Sequence, residues 1–435
     1  MSIEAYARER FDVLDQIEIS STLPNSIPTP RLLPIFPPRL DGKKVLVTSE
    51  SLGPINGVTR ATQYFLEYLV ERGIKVAAVA PEFGRDDRSP LHKRLPIVRL
   101  AGLPLFFNPD LLIARPFRTS KIFQRTFRPD IIYIASPASL GIQFWWQLRH
   151  QNIPLVVNFQ TDLAAYTLRM LPRPFNRLIA KGMDWLQSKV FRHKAVKAVL
   201  CPSQSSRQYL LSLGVPEAKL RLVGRGVDSN FFNLTKRSLQ LRAQLAPNGE
   251  VLLLCVSRLS LEKGFDFLAD AYAHAIQQAA ALGLEQKFRL VITGGNSNHA
   301  IQQHIQSLFE KKGLDVTFTG PLTGEPLAQV YASADIFVFP SLTETFGQVI
   351  QEAMASGLPV VALRAGGPAG LVQPGETGYL AEPGDLDIFA DQILKLIQDK
   401  ALRHRLGLTA RHIAEGRSWE AINRQISRIL AEAAL

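Results

Sequence analysis

PSLTETFGQVIQEAMASGLPVVALRAGGP, running from Pro340 to Pro368, decides how this chain is read. A strand-like run, Asp335 to Phe339, precedes it, and Gly357-Leu358-Pro359 closes the helical segment within it. Glu344 and Glu352 stand eight positions apart. With Glu344 in the loop after the strand and Glu352 two turns into the helix, one acid faces a ligand's reacting end. The other then reaches a second part of the same ligand. A carboxylate accepts paired hydrogen bonds, which suits vicinal hydroxyls. The ligand class is a sugar, a ribose, or both.

Outward from this stretch, strand and helix patterns alternate. Buried-strand runs are expected at Lys44–Ser49, Lys75–Ala80, Ile97–Leu100, Ile131–Ala135, Leu155–Phe159, Ala198–Cys201 and Leu220–Val223. A second set is expected at Val251–Val256, Phe288–Thr293, Val316–Phe318, Ile336–Phe339 and Val360–Leu363. Helical segments separate most of them, which argues for parallel sheets covered on both faces. The expected organisation is a Pro-rich extension at 1–40 and a first doubly wound domain at 41–230. A linker at 231–250 and a second doubly wound domain at 251–417 follow. The last helix, 418–435, could pack on either domain. Ligands of such sheets lie at the carboxyl ends of the strands, so the cleft between the domains is the natural site.

Several residues sit at those strand ends. Arg258 and Lys263, five apart in Ser257-Arg258-Leu259-Ser260-Leu261-Glu262-Lys263-Gly264, can clamp a diphosphate. A solvated loop with Arg258 paired to Glu262 is the plainer reading. Thr293-Gly294-Gly295, Gly320-Pro321-Leu322 and Gly366-Gly367-Pro368 end successive strands at the same edge. Gly53 to Gly57 follows the first strand and opens a helix, Val58 to Arg72. It is either an anion-binding loop or a tight turn.

Composition bounds the classes. The 435 residues suggest two or three domains. The acids near the N-terminus and the lack of an early apolar run argue against a signal peptide, and no run is apolar enough for a spanning helix. Cys201 and Cys255, the two cysteines, read as buried thiols in a reducing compartment. The net charge of +12 is unevenly spread. Residues 101–250 hold 21 Lys/Arg against 7 Asp/Glu, a balance of +14, whereas 251–400 hold 9 against 16, a balance of −7. This suggests one domain facing an anionic surface, or an ordinary skewed surface. Phe175 to Arg192 mixes apolar residues with Arg177, Lys181, Lys189 and Arg192. It reads as a membrane-surface helix or as a sheet-covering helix with a solvated face.

Together, Arg258…Lys263-Gly264, the Glu344–Glu352 stretch, Gly366-Gly367-Pro368, Gly375-x-Thr377-Gly378 and Gly224-Arg225-Gly226-Val227-Asp228 resemble the retaining glycosyltransferases of family 4. The resemblance spans Lys43 to the C-terminal helix. Asn56-Gly57-Val58 and Gln160-Thr161-Asp162 are similar to the branch with GDP-mannose-dependent mannosyltransferases and sulfoquinovosyl-type lipid glycosyltransferases. The resemblance implies a GT-B fold, two Rossmann-like domains facing a central cleft, with the acceptor on the first and the donor on the second. It implies that Arg258 and Lys263 hold the donor diphosphate and that Glu352 holds the ribose hydroxyls. Glu344, with the backbone around Thr345, Phe346 and Gly347, would hold the donor sugar. Gly57, Gly294 and Leu322 complete the donor site, and Gln160 and Asp162 join Glu344 as catalytic residues. Many relatives carry histidine where this chain has Gln160, and an amide cannot titrate near neutral pH.

The resemblance further implies metal independence without a cofactor, in keeping with the lack of a convincing D-x-D metal motif; Asp86-Asp87 falls in a polar loop. The expected partners are a nucleotide-sugar donor, GDP-mannose or a UDP-sugar, and a lipid or glycan acceptor. Nucleic acid is not expected. The expected location is the cytoplasm, peripherally on the cytosolic face of an anionic membrane. Two other readings stand beside hexosyl transfer. One is a phosphorylase or nucleotide-sugar epimerase on this architecture; the other is a non-catalytic sugar-nucleotide-binding membrane adaptor.

Overall fold

The computed structural model describes residues 40–435 apart from 51, 54–56, 83–93, 106–107, 161–163, 165–166, 168–174, 284–286, 297 and 343, with the side chains of 104, 105 and 108–111 also outside the description. Residues 1–39 of the expected N-terminal extension, Asn56, Asp86-Asp87, Thr161 and Asp162 lie outside the described residues.

Runs of valine, isoleucine, leucine and alanine with no polar face can be satisfied only between two helical layers. In the first domain they build a seven-stranded sheet from β1 (Lys44–Thr48), β2 (Lys75–Pro81), β3 (Ile97–Leu100), β6 (Ile131–Ile134), β7 (Leu155–Asn158), β8 (Val196–Cys201) and β9 (Leu220–Leu222). Its order is β3-β2-β1-β6-β7-β8-β9, and the pairings are parallel throughout. One core packs on each face, one around Phe144, Phe159 and Phe191, the other around Phe65, Leu69 and Tyr133. Between β3 and β6 the chain makes an antiparallel pair, β4 (Gly102–Leu105) and β5 (Asn108–Ala114), which strand–helix alternation does not announce.

The second domain has six parallel strands: β10 (Val251–Val256), β11 (Phe288–Thr293), β12 (Val316–Gly320), β13 (Ile336–Phe339), β14 (Val360–Leu363) and β15 (Gly378–Ala381), ordered β12-β11-β10-β13-β14-β15. The strand β15 was missed because Gly375-Glu376-Thr377-Gly378 reads as a turn and only four residues follow the pattern. In each sheet the strand order reverses beside the first strand, between β1 and β6 and between β10 and β13. A doubly wound sheet opens its crevice there.

Residues 231–250, read as a polar linker, are folded against the second domain. Phe232, Leu245 and Ala246 enter its core, and Arg242 on the helix Leu239–Leu245 bonds Asp335 at 2.6 Å. The last helix, Trp419–Ala433, crosses back onto the first domain. Ile426, Ile429, Leu430 and Ala431 join the core around Phe65, and Trp419 stacks on Tyr64 with ring centroids 4.8 Å apart.

Candidate functional site

The second domain's half of the cleft begins where β13 ends. The chain turns through Glu344 and starts the helix Gln348–Ala355 after Gly347 at φ +98°. The following strand supports this loop from below. Gly367 N–H donates to the Glu344 carbonyl at 2.7 Å. A Cβ at Gly366 would lie 2.3 Å from the Glu344 carbonyl oxygen, and one at Gly367 would lie 2.2 Å from that of Phe346. Both positions therefore accept only glycine without moving backbone.

Lys263, carried by the short turn Leu261–Lys263 after β10, sends its ammonium to Glu344 Oε2 at 2.9 Å. Burial pushes the Glu344 carboxyl up. The Lys263 charge and hydrogen bond, Arg225 and the Phe346 N–H outweigh it and hold the group below its ordinary value. Thr345 is half-buried, and Phe346 is buried between Arg225 and Gly224.

Glu352 lies in the second turn of its helix. It accepts the Tyr331 hydroxyl at 3.1 Å and, from the other domain, Arg60 Nη1 at 3.4 Å. Burial drives its carboxyl up to about 7, against the opposing pull of Arg60 and Tyr331. Arg258 is different. Its side chain is 63% exposed and pairs with Glu262 at 3.4 Å. An exposed i,i+4 pair of this kind is weak, and nothing in it prevents the guanidinium from turning to an anion. Gly294 brings the end of β11 against the Ser257 backbone, and Leu322 is half-buried against the second-domain core.

The first domain contributes Gly57, Gln160 and Arg225. Gly57 opens the helix Gly57–Glu71, and a Cβ there would stand 3.0 Å from Arg225 Nη1. Its missing side chain is the room that guanidinium occupies. Gln160, buried just after β7, accepts from Arg225 Nη2 at 3.2 Å. The backbone after β9 is tied to the second domain. Gln351 Nε2 donates to the Arg225 carbonyl at 2.7 Å, and Gln348 Nε2 to the Gly226 carbonyl at 3.0 Å. Two cations of the basic domain, Arg60 and Arg225, thus face the two acids of the acidic one.

Lys263, Glu344 and Phe346 meet Arg225, Gln160 and Gly57 in one strip; Glu352 joins through Arg60, while Arg258 points outward. Arg60, Tyr331, Gln348 and Gln351 were not anticipated. Arg225 was legible only within the Gly224-Arg225-Gly226-Val227-Asp228 motif, with no role of its own. Among the described residues no group of three or more His, Cys, Asp or Glu could hold a metal ion, and no helix is long and apolar enough to cross a membrane.

The raised Glu352 carboxyl makes a pH prediction. Below an ordinary value of 4.5 both states carry the proton; between 4.5 and about 7 only the folded state does. Stability therefore falls as pH rises through this window and stays low above it, by about 3 kcal/mol for such a shift. Glu50, buried with its carboxyl also raised to about 7, adds a second such group. We expect Glu352→Gln to remove about half of the decline in unfolding free energy between pH 5 and pH 8, measured by urea titration. An unchanged slope would mean that Glu352 titrates normally.

Comparison with known proteins gives three findings. Residues 55–231 match the family model described as Glycosyltransferase Family 4, and residues 250–399 the one described as Glycosyl transferases group 1. Sulfoquinovosyl transferase SQD2 of Arabidopsis thaliana is 31% identical over 421 residues, 95% of this chain and 76% of the plant protein. A GDP-mannose-dependent alpha-mannosyltransferase of Mycolicibacterium smegmatis is 31% identical over 385 residues, 87% of this chain and 94% of that enzyme. Anabaena Alr3699/HepE, solved in complex with UDP, shares the fold at a TM-score of 0.70 with 22% identity, over 89% of this chain and all of that one.

Proposed function

The chain belongs to glycosyltransferase family 4, and from that premise we propose that it moves a hexose, mannose first among the candidates, from a nucleoside diphosphate sugar to a hydroxyl of a lipid or glycan with retention at the anomeric carbon. The observation that carries this reading is the Lys263–Glu344 ion pair, buried in the interdomain strip and faced by Arg225 from the other domain. An ammonium beside a carboxylate offers both halves of what an activated sugar needs: a cation for the departing diphosphate and an acceptor for the sugar hydroxyls. In this reading Lys263 and Arg258 neutralise the leaving group, Glu344 orients the sugar, and Glu352 exchanges its Arg60 contact for the ribose hydroxyls. The mannosyltransferase relative supports GDP-mannose, and the UDP-bound structural neighbour keeps UDP-sugars in the comparison.

A peripheral membrane contact goes with a lipid acceptor. On the helix Phe175–Arg192, Phe175, Leu178 and Trp185 are 66%, 73% and 60% exposed. Lys181, Lys189 and Arg192 are exposed among them. Apolar anchors flanked by cations suit the surface of an anionic bilayer, on the cytosolic face.

One experiment tests both halves. A thermal-shift screen against GDP-mannose, UDP-glucose and ADP-glucose should raise the melting temperature with one of them, because a ligand of the native state stabilises it. That donor, radiolabelled in the sugar, should then pass its label to lipid in anionic vesicles or to an added glycan. No shift with any donor overturns the donor site. A shift followed by labelled free sugar or epimerised donor alone overturns transfer.

A further inference from the structure

We propose that Arg225 is a positioning residue that captures the side-chain carbonyl of Gln160, so that Gln160 presents its amide N–H groups to the donor sugar; this rests on the transferase reading above. The argument begins with what a guanidinium can do. It has five N–H donors and no acceptor. The group 3.2 Å from Arg225 Nη2 must therefore be the Gln160 oxygen, since turning the amide over would set donor against donor. The amide nitrogen is thereby directed away from Arg225, and it meets no acceptor among the described residues.

Arg225 is well placed to enforce this. Its peptide is fastened to the second domain by Gln351, and the next peptide by Gln348. Its Nη1 fills the space left by Gly57, and the Phe346 ring lies 5.8 Å from its central carbon. Its Nε is shut off from solvent without an acceptor. Glu344 attracts the guanidinium but is hydrogen-bonded to Lys263. The cation therefore stands between the residue read as the acceptor-side catalytic group and the one read as the sugar-binding acid.

The chemical consequence is specific. A Gln160 carbonyl turned onto a guanidinium has its dipole directed at that cation and not at a positive anomeric centre, and an amide takes no proton from the acceptor. Its N–H groups are left to bind an electron-rich oxygen, that of a sugar hydroxyl. Because Arg225 is anchored by Gln348 and Gln351 on the helix that bears Glu352, the orientation of Gln160 depends on the two domains being docked.

Four variants test this. Gln160→Glu keeps an acceptor for Arg225 and removes both N–H donors. We expect the thermal shift and affinity for GDP and UDP to stay within about 3-fold of the parent, while turnover of GDP-mannose or UDP-glucose falls at least about 100-fold. Arg225→Met should lower kcat by a similar factor with donor KM changed less than about 3-fold, and Arg225→Lys should recover part of it. The Arg225→Met, Gln160→Glu double variant should be no slower than Gln160→Glu alone.

A readout independent of turnover is the Gln160 side-chain amide resonance of the ligand-free protein, assigned by its loss in Gln160→Glu; Arg225→Met should move it. An unmoved resonance, a Gln160→Glu enzyme of parental kcat, or losses that multiply in the double variant would each overturn the inference. Failure of the transferase reading is seen separately, as an unmodified chain that binds and turns over neither donor.

Discussion

Lys263→Ala will lower sugar transfer by two to three orders of magnitude, on the order of what one preorganised charge is worth at a developing anion. The Lys263 side chain is only 12% exposed and that of Glu344 21%, so water does little to replace the lost ammonium. Two effects arise together. On the proposed function the departing diphosphate loses a fixed cation, and Glu344 becomes a carboxylate held in a cleft without its closest partner. Stranding one member of a buried pair costs up to about 3–5 kcal/mol. The cost here should fall below that range, because Glu344 keeps the Phe346 N–H and the field of Arg225.

The double variant Lys263→Ala, Glu344→Gln separates the effects. It removes the stranded charge and should recover most of the lost melting temperature, yet it should recover no activity. The measurements are kcat/KM with the donor that shifts the melting temperature, and Tm without ligand. Parental turnover by Lys263→Ala would remove the central claim about this site.

Removing 418–435 will leave the first domain unable to hold its fold. The helix Trp419–Ala433 buries Ile426, Ile429 and Leu430 against the core around Phe65. Each such side chain is worth about 1.5–3 kcal/mol of burial. The three together approach the whole net stability of an ordinary domain, about 5–15 kcal/mol. Hydrogen bonds from Asn423 to the Tyr64 carbonyl and from Gln425 to the Leu222 carbonyl add to the attachment.

We expect the truncated chain to be insoluble or to lose its cooperative unfolding transition. Leu430→Ala, at a position with no exposed surface, should cost about 2–5 kcal/mol in urea unfolding. A truncated chain with an unchanged midpoint would show that the helix only decorates the domain.

The helix also limits the cleft. Trp419 stacks on Tyr64, four residues along the helix from Arg60, and a Cβ at Gly226 would collide with the Trp419 backbone at 2.5 Å. The interdomain segment carrying Arg225 therefore passes between the last helix and the helix bearing Glu352. Truncation should consequently disturb donor binding even where folded protein is recovered.

What could be read in the chain alone was local. Strand runs with no polar face, turns rich in glycine, and Glu344 and Glu352 divided between a loop and the helix after it are all expressed within about ten residues. Backbone propensity and side-chain period act over that distance. Lys263 was legible for the same reason, as a cation closing a strand–helix turn. The short strand β15 escaped because glycine and threonine supply no period. The sequence left Arg258 between a pair with Glu262 and a cleft anion, because that choice depends on what else fills the cleft.

Tertiary structure alone decided the partners that lie far apart in sequence. Arg60 meets Glu352 across 292 positions, and Arg225 meets Gln160 across 65. Neither residue carries a local mark of its partner. These contacts exist because two sheets, each folded by its own pattern, bring their carboxyl edges together. The last helix found the first domain rather than the second because that domain's sheet offered an uncovered apolar face, and burial of such area is indifferent to distance along the chain.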